Sequence, residues 1–332
     1  MWNRMEDKKH EKQDGSKLKQ TLFSFGVIAD VQYADRTDGV SGWRTMRYYS
    51  QSCLHLQSAI RHWNKEEVLP AFILQLGDII DGCNRRFLTS EKSLQVVLKE
   101  TENMKAPFHH IWGNHELDNF DLKYLWKSKL NSKHLEDKQT DDSHVCTAEK
   151  NDFYAYHFSP FTNFRFIIVD TYDLSVFGND PSSPKQQKSQ SFLSTTDFHE
   201  PHHLTFNGGF SREQLSWLHH VLSYSDKHNE RVVIAGHVPI HPKAKHTPCL
   251  VWNYRDVLEV IQSHTCVVCY VAGHDHGGGY YQDSYGIHHI TMEGVIECSP
   301  DTNAFATVYV YEDMMHLQGS GKVKSRILHY RK

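Results

Sequence analysis

The sequence predicts an α/β fold in which short strands alternate with amphipathic helices along a single domain. Short apolar runs are interleaved with stretches of helical periodicity over most of the chain. No Pro-, Gly- or Ser-rich linker divides the 332 residues, and no internal repeat is visible. A chain of this length buries roughly three-quarters of the surface that it exposes when unfolded. We therefore expect one large core that needs no disulfide bonds.

The first 20 residues are predicted to form a disordered tail, because they are highly charged and lack hydrophobic periodicity. The single domain is then expected over residues 21–332. Two stretches within it, near 117–150 and 173–210, are long, polar and poorly periodic. Long irregular segments of this kind commonly carry binding residues. We predict that they are insertions that form the rim of a substrate pocket.

Five apolar runs are predicted to be strands, and each ends abruptly in a polar side chain of a type that binds metal. In four of the five, a glycine precedes the polar residue, which lets the backbone turn sharply beside a ligand. Ligand sites of open α/β sheets lie outside such strand ends. The runs cover residues 23–29, 71–76, 108–112, 231–235 and 267–272.

Three helices are predicted from apolar residues at alternating spacings of three and four. The first runs from Met46 to Trp63. The second begins at Ser211, whose hydroxyl can cap the helix while the Gln214 side chain reaches back. The third carries Tyr254, Val257, Leu258 and Ile261 at the same helical spacing. These helices are expected to cover the faces of the sheets.

Composition excludes two classes of partner. The formal net charge is −4 at pH 7 and no segment forms a basic stripe, so we expect no nucleic-acid polymer as a partner. No apolar run approaches the roughly 18 residues of a membrane span, so we expect no membrane partner either. The expected partner is a small molecule. Sustained heptads are absent from the sequence, and we expect a monomer.

The seven cysteines are predicted to be reduced thiols of a cytoplasmic protein, because their number is odd and no apolar signal segment is seen. Cys266 and Cys269 have the spacing of half a zinc site or of a redox pair. They lie, however, in an apolar run that is typical of a strand. We favour buried strand thiols for both.

The polar residues at the strand ends predict a metal site with mixed ligands. Carboxylate and amide oxygens suit Mn²⁺ or Mg²⁺, whereas imidazoles suit Zn²⁺, Fe and also Mn²⁺. Taken singly, each candidate has an ordinary explanation: Asp30 and Asp78 could be turn residues, and the chain has 25 histidines. Only the ordered set favours a metal centre.

That ordered set resembles the signature of the calcineurin-like metallophosphoesterases. The resemblance spans roughly residues 22–320 and implies a four-layer αββα sandwich, in which two mixed β-sheets are flanked by helices. The blocks that carry it are Asp30-x-Gln32, Gly77-Asp78-x-x-Asp81, Gly113-Asn114-His115-Glu116, Gly236-His237 and Gly273-His274-x-His276.

The resemblance also implies a role for each matching residue. One divalent ion is expected on Asp30, Gln32 and His276, a second on Asn114, His237 and His274, with Asp78 bridging them. Most of the family has a histidine where this chain has Gln32. An amide oxygen makes that position harder, which favours Mn²⁺, with Mg²⁺ as an alternative and Zn²⁺ or Fe left open.

His115 is expected to be the catalytic residue, either as a general acid that protonates the leaving oxygen or as a purely electrostatic group. Asp81 and Asp275 are candidates for carboxylates that orient the metal-binding imidazoles, with turn chemistry as the alternative. A water shared by the two ions is expected to attack phosphorus.

Further blocks resemble the members of the family that hydrolyse the diphosphate bond of ADP-ribose, CDP-choline and related nucleoside diphosphate compounds, releasing AMP or CMP. A phosphomonoesterase or phosphodiesterase, or a scaffold without catalysis, are the alternatives. The blocks are residues 27–32, 112–116, 206–210 and 252–256.

Four residues are predicted to contact such a substrate. Arg47 is favoured over Arg44 as a partner of the phosphates, although a solvated helix start is a competing explanation. Phe210, Trp252 and Tyr254 are candidates for binding the nucleobase, because aromatic faces stack on any base. Packing in the core is the alternative for these three.

Overall fold

The computed structural model describes residues 20–42, 44–137, 152–195 and 200–331. The predicted tail over residues 1–20 lies outside the described residues except for Gln20. The part of the first predicted insertion beyond residue 137 lies outside them as well.

Two six-stranded sheets form the centre of the fold, numbered here in chain order together with a short hairpin. Sheet one contains β1 (Phe23–Ile28), β4 (Ile73–Gln75), β5 (Phe108–His110), β12 (Ala304–Val310), β13 (Met314–Gly321) and β14 (Arg326–His329). Sheet two contains β6 (Tyr156–Phe161), β7 (Phe164–Ile168), β8 (Arg231–Ala235), β9 (Val267–Ala272), β10 (Gly277–Gln282) and β11 (His288–Glu293). The hairpin consists of β2 (Gly39–Val40) and β3 (Met46–Arg47).

Both sheets are mixed, as predicted. In sheet one, β1 pairs in parallel with β4 and β4 with β5, whereas β1 and β12 are antiparallel. In sheet two, β7, β8, β9 and β11 form a parallel centre with antiparallel β6 and β10 at its edges. Because β1, β4 and β5 of sheet one run parallel, as do β7, β8, β9 and β11 of sheet two, the carboxyl ends of each parallel set lie at one edge of its sheet. All five predicted strands are present.

A cluster of buried phenylalanine rings holds the two sheets face to face. Phe25 lies in β1 and Phe72 directly before β4, both in sheet one. Phe158 and Phe166 lie in β6 and β7 of sheet two. The ring centres of Phe25 and Phe166 lie 5.0 Å apart, and those of Phe72 and Phe166 lie 4.8 Å apart. Such edge-to-face contacts add to the stabilisation from burial itself.

Helices cover the outer faces. The helices are α1 (Tyr49–Trp63), α2 (Cys83–Arg86), α3 (Ser90–Thr101), α4 (Asn114–Asn119), α5 (Leu122–Lys127), α6 (Pro184–Thr195), α7 (Arg212–Lys227) and α8 (Tyr254–Gln262). Helix α1 contacts α3 and β12 of sheet one, whereas α7 contacts α8 and β8 of sheet two. This arrangement confirms the predicted four-layer αββα sandwich.

Two details of the helix prediction are wrong. The first helix begins at Tyr49, because Met46 instead pairs with Val40 in the hairpin and is exposed. Ser211 caps α7 as predicted, and its hydroxyl accepts a hydrogen bond from the Gln214 N–H at 3.1 Å. The Gln214 side chain does not reach back to the cap; its Nε2 donates to the carbonyl of Asp170.

The described cysteines are free thiols, and Cys266 and Cys269 are buried in and beside β9 as predicted. None of the helices in the described ranges has the length and apolar character to cross a membrane.

Candidate active site

The loops that follow five strand ends meet at one edge of the two sheets. Several residues of these loops have left-handed backbone conformations, although none of them is a glycine. Their φ angles are 53° for Asp30, 45° for Gln32, 55° for Asp78 and 68° for His274. Such conformations cost on the order of 1–3 kcal/mol each and are concentrated at functional sites. The surrounding fold therefore holds the backbone of these residues in conformations that are unfavourable on their own.

Asp78, His237 and His274 form the buried centre of the site. Asp78 Oδ2 lies 3.4 Å from His237 Nε2, and His237 Nε2 lies 3.2 Å from His274 Nδ1. The three candidate ligand atoms lie within 4.8 Å of one another. A carboxylate and two imidazoles at this spacing can share a divalent ion.

Asp30, Gln32 and His276 lie on the other side of Asp78. Asp30 Oδ1 is 3.4 Å from His276 Nε2, and Gln32 Nε2 is 3.3 Å from Asp78 Oδ2. Asp30 Oδ1 is buried and has no hydrogen-bond donor among the described residues, which is costly for a carboxylate oxygen unless a cation lies beside it. The donor set therefore fits a second divalent ion that shares Asp78.

Each of the three imidazoles uses one nitrogen to contact a partner outside the centre. His237 Nδ1 donates to the Leu76 carbonyl at 2.6 Å, and His274 Nε2 donates to Asn207 Oδ1 at 2.9 Å. His276 Nδ1 lies 3.0 Å from Glu297 Oε1. These contacts leave His237 Nε2, His274 Nδ1 and His276 Nε2 as the lone pairs that face the centre.

Asp81 and Asp275, the two predicted orienting carboxylates, bind other groups. Asp81 accepts from Arg47 at 3.0 Å and from the Cys83 N–H at 2.8 Å. Asp275 accepts from the N–H groups of His246 and Thr247. Both therefore act in the loops, as the turn alternative stated. Asn207 and Glu297 take the orienting role for His274 and His276. Asn207 lies in the block 206–210, for which no such role was predicted, and Glu297 lies outside every predicted block.

Gln32 and Arg47 form a direct contact. Arg47 Nη1 donates to Gln32 Oε1. A guanidinium has no acceptor, so the amide oxygen of Gln32 faces Arg47 and its NH₂ faces Asp78 and His276. Binding of a metal through Oε1 requires the amide to turn.

Burial and neighbouring charges together determine the pKa values of the ionisable groups at the centre. Burial alone would raise the pKa of Asp78, but the facing imidazoles of His115 and His237 hold it well below the usual range. Burial opposes the charged form of His237 and His276, yet the Asp78 and Asp30 carboxylates raise the pKa of each imidazole to about 9. Metal binding at these two imidazoles therefore competes with protons.

Glu116 fastens two of the metal-bearing loops to each other. Its buried carboxylate accepts backbone N–H groups of Asp78 at 2.7 Å, Ile79 at 2.8 Å and Gly113 at 2.7 Å. Burial, followed by the charge of Asp78, raises the pKa of Glu116 to about 7. The sequence places Glu116 in the Gly113–Glu116 block, but it does not reveal that the carboxylate joins two loops.

The ring of His115 is held by a backbone contact at the edge of the centre. The Gly82 N–H donates to His115 Nδ1 at 2.8 Å, and His115 Nε2 lies 3.7 Å from Asp78 Oδ2. An imidazole nitrogen that accepts a hydrogen bond carries no proton. The proton of the neutral ring is therefore on Nε2 and faces the site.

A cavity of about 350 Å³ lies over the centre. Arg47 and His115 line it, as do the metal-ligand candidates Gln32, Asp78, Asn114, His274 and His276. Sequence reasoning missed further residues of its wall. They are Thr45, Phe206, His246, Thr247, Cys249 and Glu297.

Three predicted substrate contacts lie elsewhere. Phe210 and Trp252 are only 1% and 2% exposed, and the Trp252 ring stacks on Phe192 at 5.6 Å. Tyr254 begins α8 and packs its ring against His202. None of the three is among the described residues that line the cavity. Each packs against other residues of the protein, as the alternative explanation stated. Phe206, which precedes the two glycines of the same block, reaches the cavity instead and lies 5.7 Å from the His274 ring.

The chain is similar to known proteins in both sequence and structure. The profile described as calcineurin-like phosphoesterase matches residues 23–278. A Bos taurus protein named manganese-dependent ADP-ribose/CDP-alcohol diphosphatase is 52% identical over 98% of this chain and 99% of the relative. A Homo sapiens protein of the same name is 52% identical over 94% of each chain.

A solved structure is also similar over nearly its whole length. The crystal structure of a dimetal phosphatase from Danio rerio superimposes with a TM-score of 0.87 at 43% identity, covering 94% of this chain and 100% of that one. Since both the family profile and these relatives extend across the strands that carry the site, the chain belongs to the calcineurin-like phosphoesterase family.

Proposed function

We propose that this protein hydrolyses the diphosphate bond of ADP-ribose, CDP-choline and related nucleoside diphosphate compounds with two divalent ions, Mn²⁺ being favoured. The observation that carries the proposal is the convergence of four oxygen-bearing and three imidazole side chains beneath one cavity. The names of the relatives from Bos taurus and Homo sapiens support the substrate class and the metal.

Asp30, Gln32 and His276 would hold one ion, Asn114, His237 and His274 the other, and Asp78 both. When bound, two such ions supply an acidified water and neutralise charge on the phosphates. The chain itself fixes the geometry. The hydrogen bonds from the imidazoles to Leu76, Asn207 and Glu297 aim their free nitrogens at the centre.

The remaining chemistry comes from residues in the cavity wall. Arg47 offers a guanidinium for phosphate oxygens, which a planar fork of donors binds well. His115 offers its Nε2–H to the oxygen that leaves phosphorus. Phe206 and His246 offer ring faces to the nucleoside. The cavity volume of about 350 Å³ lies at the lower end of the range for small-molecule sites.

The test is hydrolysis of ADP-ribose and CDP-choline by metal-stripped protein resupplied with Mn²⁺, Mg²⁺ or Zn²⁺, with the products separated and identified. Release of AMP and ribose 5-phosphate, or of CMP, with Mn²⁺ is expected. Asp78→Asn serves as the inactive control because it removes the shared carboxylate. Turnover of cyclic nucleotides or phosphoprotein alone would favour the monoesterase or diesterase alternative, and no turnover with any ion would favour a scaffold.

A cytoplasmic location and a monomeric state stay part of this proposal. The free thiols of the described cysteines agree with a reducing compartment.

A further inference from the structure

The turn over residues 294–297 lies between the metal-bearing loops and the hairpin. The Gly294 N–H donates to the His276 carbonyl at 3.1 Å, and the Ile296 N–H donates to the Asp30 carbonyl at 3.0 Å. On its other side, the Ile296 carbonyl accepts the Tyr48 N–H at 2.8 Å, directly before α1. One turn thus bonds to two metal-bearing loops and to the segment that follows the hairpin.

The turn is shaped around the His276 ring. A Cβ atom added to Gly294 would lie 2.7 Å from His276 Cγ, closer than nonbonded carbons approach. The φ of Gly294 is −74°, so the glycine is required here for close approach and not for its backbone conformation. This close packing places Glu297, at the end of the turn, beside His276 Nδ1.

Glu297, the last residue of the turn, accepts two hydrogen bonds on a single oxygen. Its Oε1 lies 3.0 Å from His276 Nδ1 and 2.8 Å from Thr45 Oγ1. The side chain is 18% exposed, so water screens both contacts only in part. Because one oxygen receives both donors, the orientation of the imidazole and the position of Thr45 depend on each other.

Thr45 belongs to the hairpin, and the hairpin forms part of the cavity wall. The Ser41 N–H donates to the Thr45 carbonyl at 2.8 Å, which closes the loop between β2 and β3. Thr45 and Arg47 both line the cavity. The contact with Glu297 therefore links a wall of the substrate cavity to a metal-ligand candidate.

We propose that Glu297 is a positioning residue with two tasks. It aims His276 Nε2 at the metal position shared with Asp30, and it docks the hairpin that carries Thr45 and Arg47. The inference rests on the proposed function, because it assumes that the centre binds two ions. The two metal positions would also differ from each other, since the ionisable carboxylate of Glu297 orients His276 whereas the neutral amide of Asn207 orients His274.

Metal binding tests the first task without any assay of turnover. Calorimetric titration of metal-stripped protein with Mn²⁺ is expected to show that Glu297→Ala binds one of two ions about 10- to 100-fold more weakly and the other unchanged. Glu297→Gln keeps an acceptor oxygen and removes the charge, so its loss should be smaller. Wild-type affinity for both ions in Glu297→Ala would overturn the proposal.

Thr45→Val separates the second task from the first. This variant removes the hydroxyl donor and keeps Glu297 on His276, so both ions should bind as in the wild type. Cleavage by trypsin after the exposed Arg44, followed by mass spectrometry, should be faster in Thr45→Val and in Glu297→Ala. Unchanged cleavage in both variants would overturn the docking role. Failure of the wild type to hydrolyse ADP-ribose would count against the proposed function only, because neither readout depends on turnover.

Discussion

A single hydrogen bond determines which proton His115 can offer. The Gly82 N–H occupies Nδ1, so the neutral ring presents Nε2–H to the site. Complete protonation of a leaving oxygen from a doubly protonated ring would require this contact to break. The contact therefore favours a hydrogen-bond donor that stabilises developing charge, which is the electrostatic alternative for this residue.

His115→Ala is expected to lower kcat by about 10²- to 10⁴-fold, because an oriented donor at the leaving oxygen is lost. Metal content should be unchanged, since His115 is not among the proposed ligands. Steady-state kinetics with elemental analysis of the purified variant checks both points. His220→Ala, on the exposed face of α7, is the control. Near-normal turnover of His115→Ala would remove it from the proposed chemistry.

Two phenylalanines of one sequence block are expected to behave differently. Phe206→Ala should raise the KM for ADP-ribose, because stacking on a base contributes about 1–3 kcal/mol. Phe210→Ala should leave KM nearly unchanged and lower the unfolding free energy by about 3–5 kcal/mol, because its ring lies in the core. Kinetics and urea unfolding of the two variants distinguish these effects. A KM effect confined to Phe210→Ala would restore the original prediction for that residue.

At the scale of the elements, strand ends were the most predictable part of the site. An apolar run that stops at a glycine and a polar residue has one simple structural explanation, and the five runs converge because parallel strands share an edge. Local patterns therefore predict where the site lies, and the resemblance to the family assigns the seven ligand candidates within it. Partners that lie far away in sequence do not follow from such patterns.

Glu297 and Asn207 show why the rest could not be predicted. Glu297 is separated from His276 by 21 residues and Asn207 from His274 by 67, and only the packing of the turns brings them together. The hairpin was missed for another reason. Met46 fits the apolar spacing of α1, but pairing with Val40 and the following turn fix it in a strand. Local periodicity cannot weigh such pairing.

The start of α7 provides a test at the same scale. Ser211→Ala is expected to lower the unfolding free energy by about 0.5–2 kcal/mol, because the Gln214 N–H loses its acceptor. Ser223→Ala is the matched control, since that hydroxyl donates to the His219 carbonyl within the helix and caps no helix end. Urea unfolding measures both variants, and kcat should be unaffected. An equal effect of the two substitutions would argue against a capping role.

Across the whole molecule, buried neutral histidines make stability depend on pH. Burial lowers the pKa of His109 to about 3 and that of His110 and His157 to about 4, whereas the unfolded chain has values near 6.5. The unfolded state therefore takes up protons first as pH falls. Stability from these residues is complete above about pH 6.5 and is lost from there towards pH 4.

The expected loss is on the order of 1–2 kcal/mol per histidine between pH 7.5 and pH 5, measured by urea unfolding. His109→Phe isolates the effect, because the ring already stacks on Phe158 at 3.8 Å and a phenyl group does not titrate. Its unfolding free energy should fall less steeply with pH than that of the wild type. Identical slopes would show that His109 does not contribute.

The two sheets contribute chemically different halves of the centre. Asp30, Gln32, Asp78 and Asn114 follow strands of sheet one and offer oxygen, whereas His237, His274 and His276 follow strands of sheet two and offer nitrogen. Ions held by both sets would cross-link the halves of the molecule. We expect a chelator to lower Tm, since ligand at 100 times its Kd stabilises by about 2.7 kcal/mol. Asp78→Asn should lose most of this shift; an unchanged Tm in the wild type would contradict it. The supply of metal would then determine the stability of the folded protein as well as its rate of turnover.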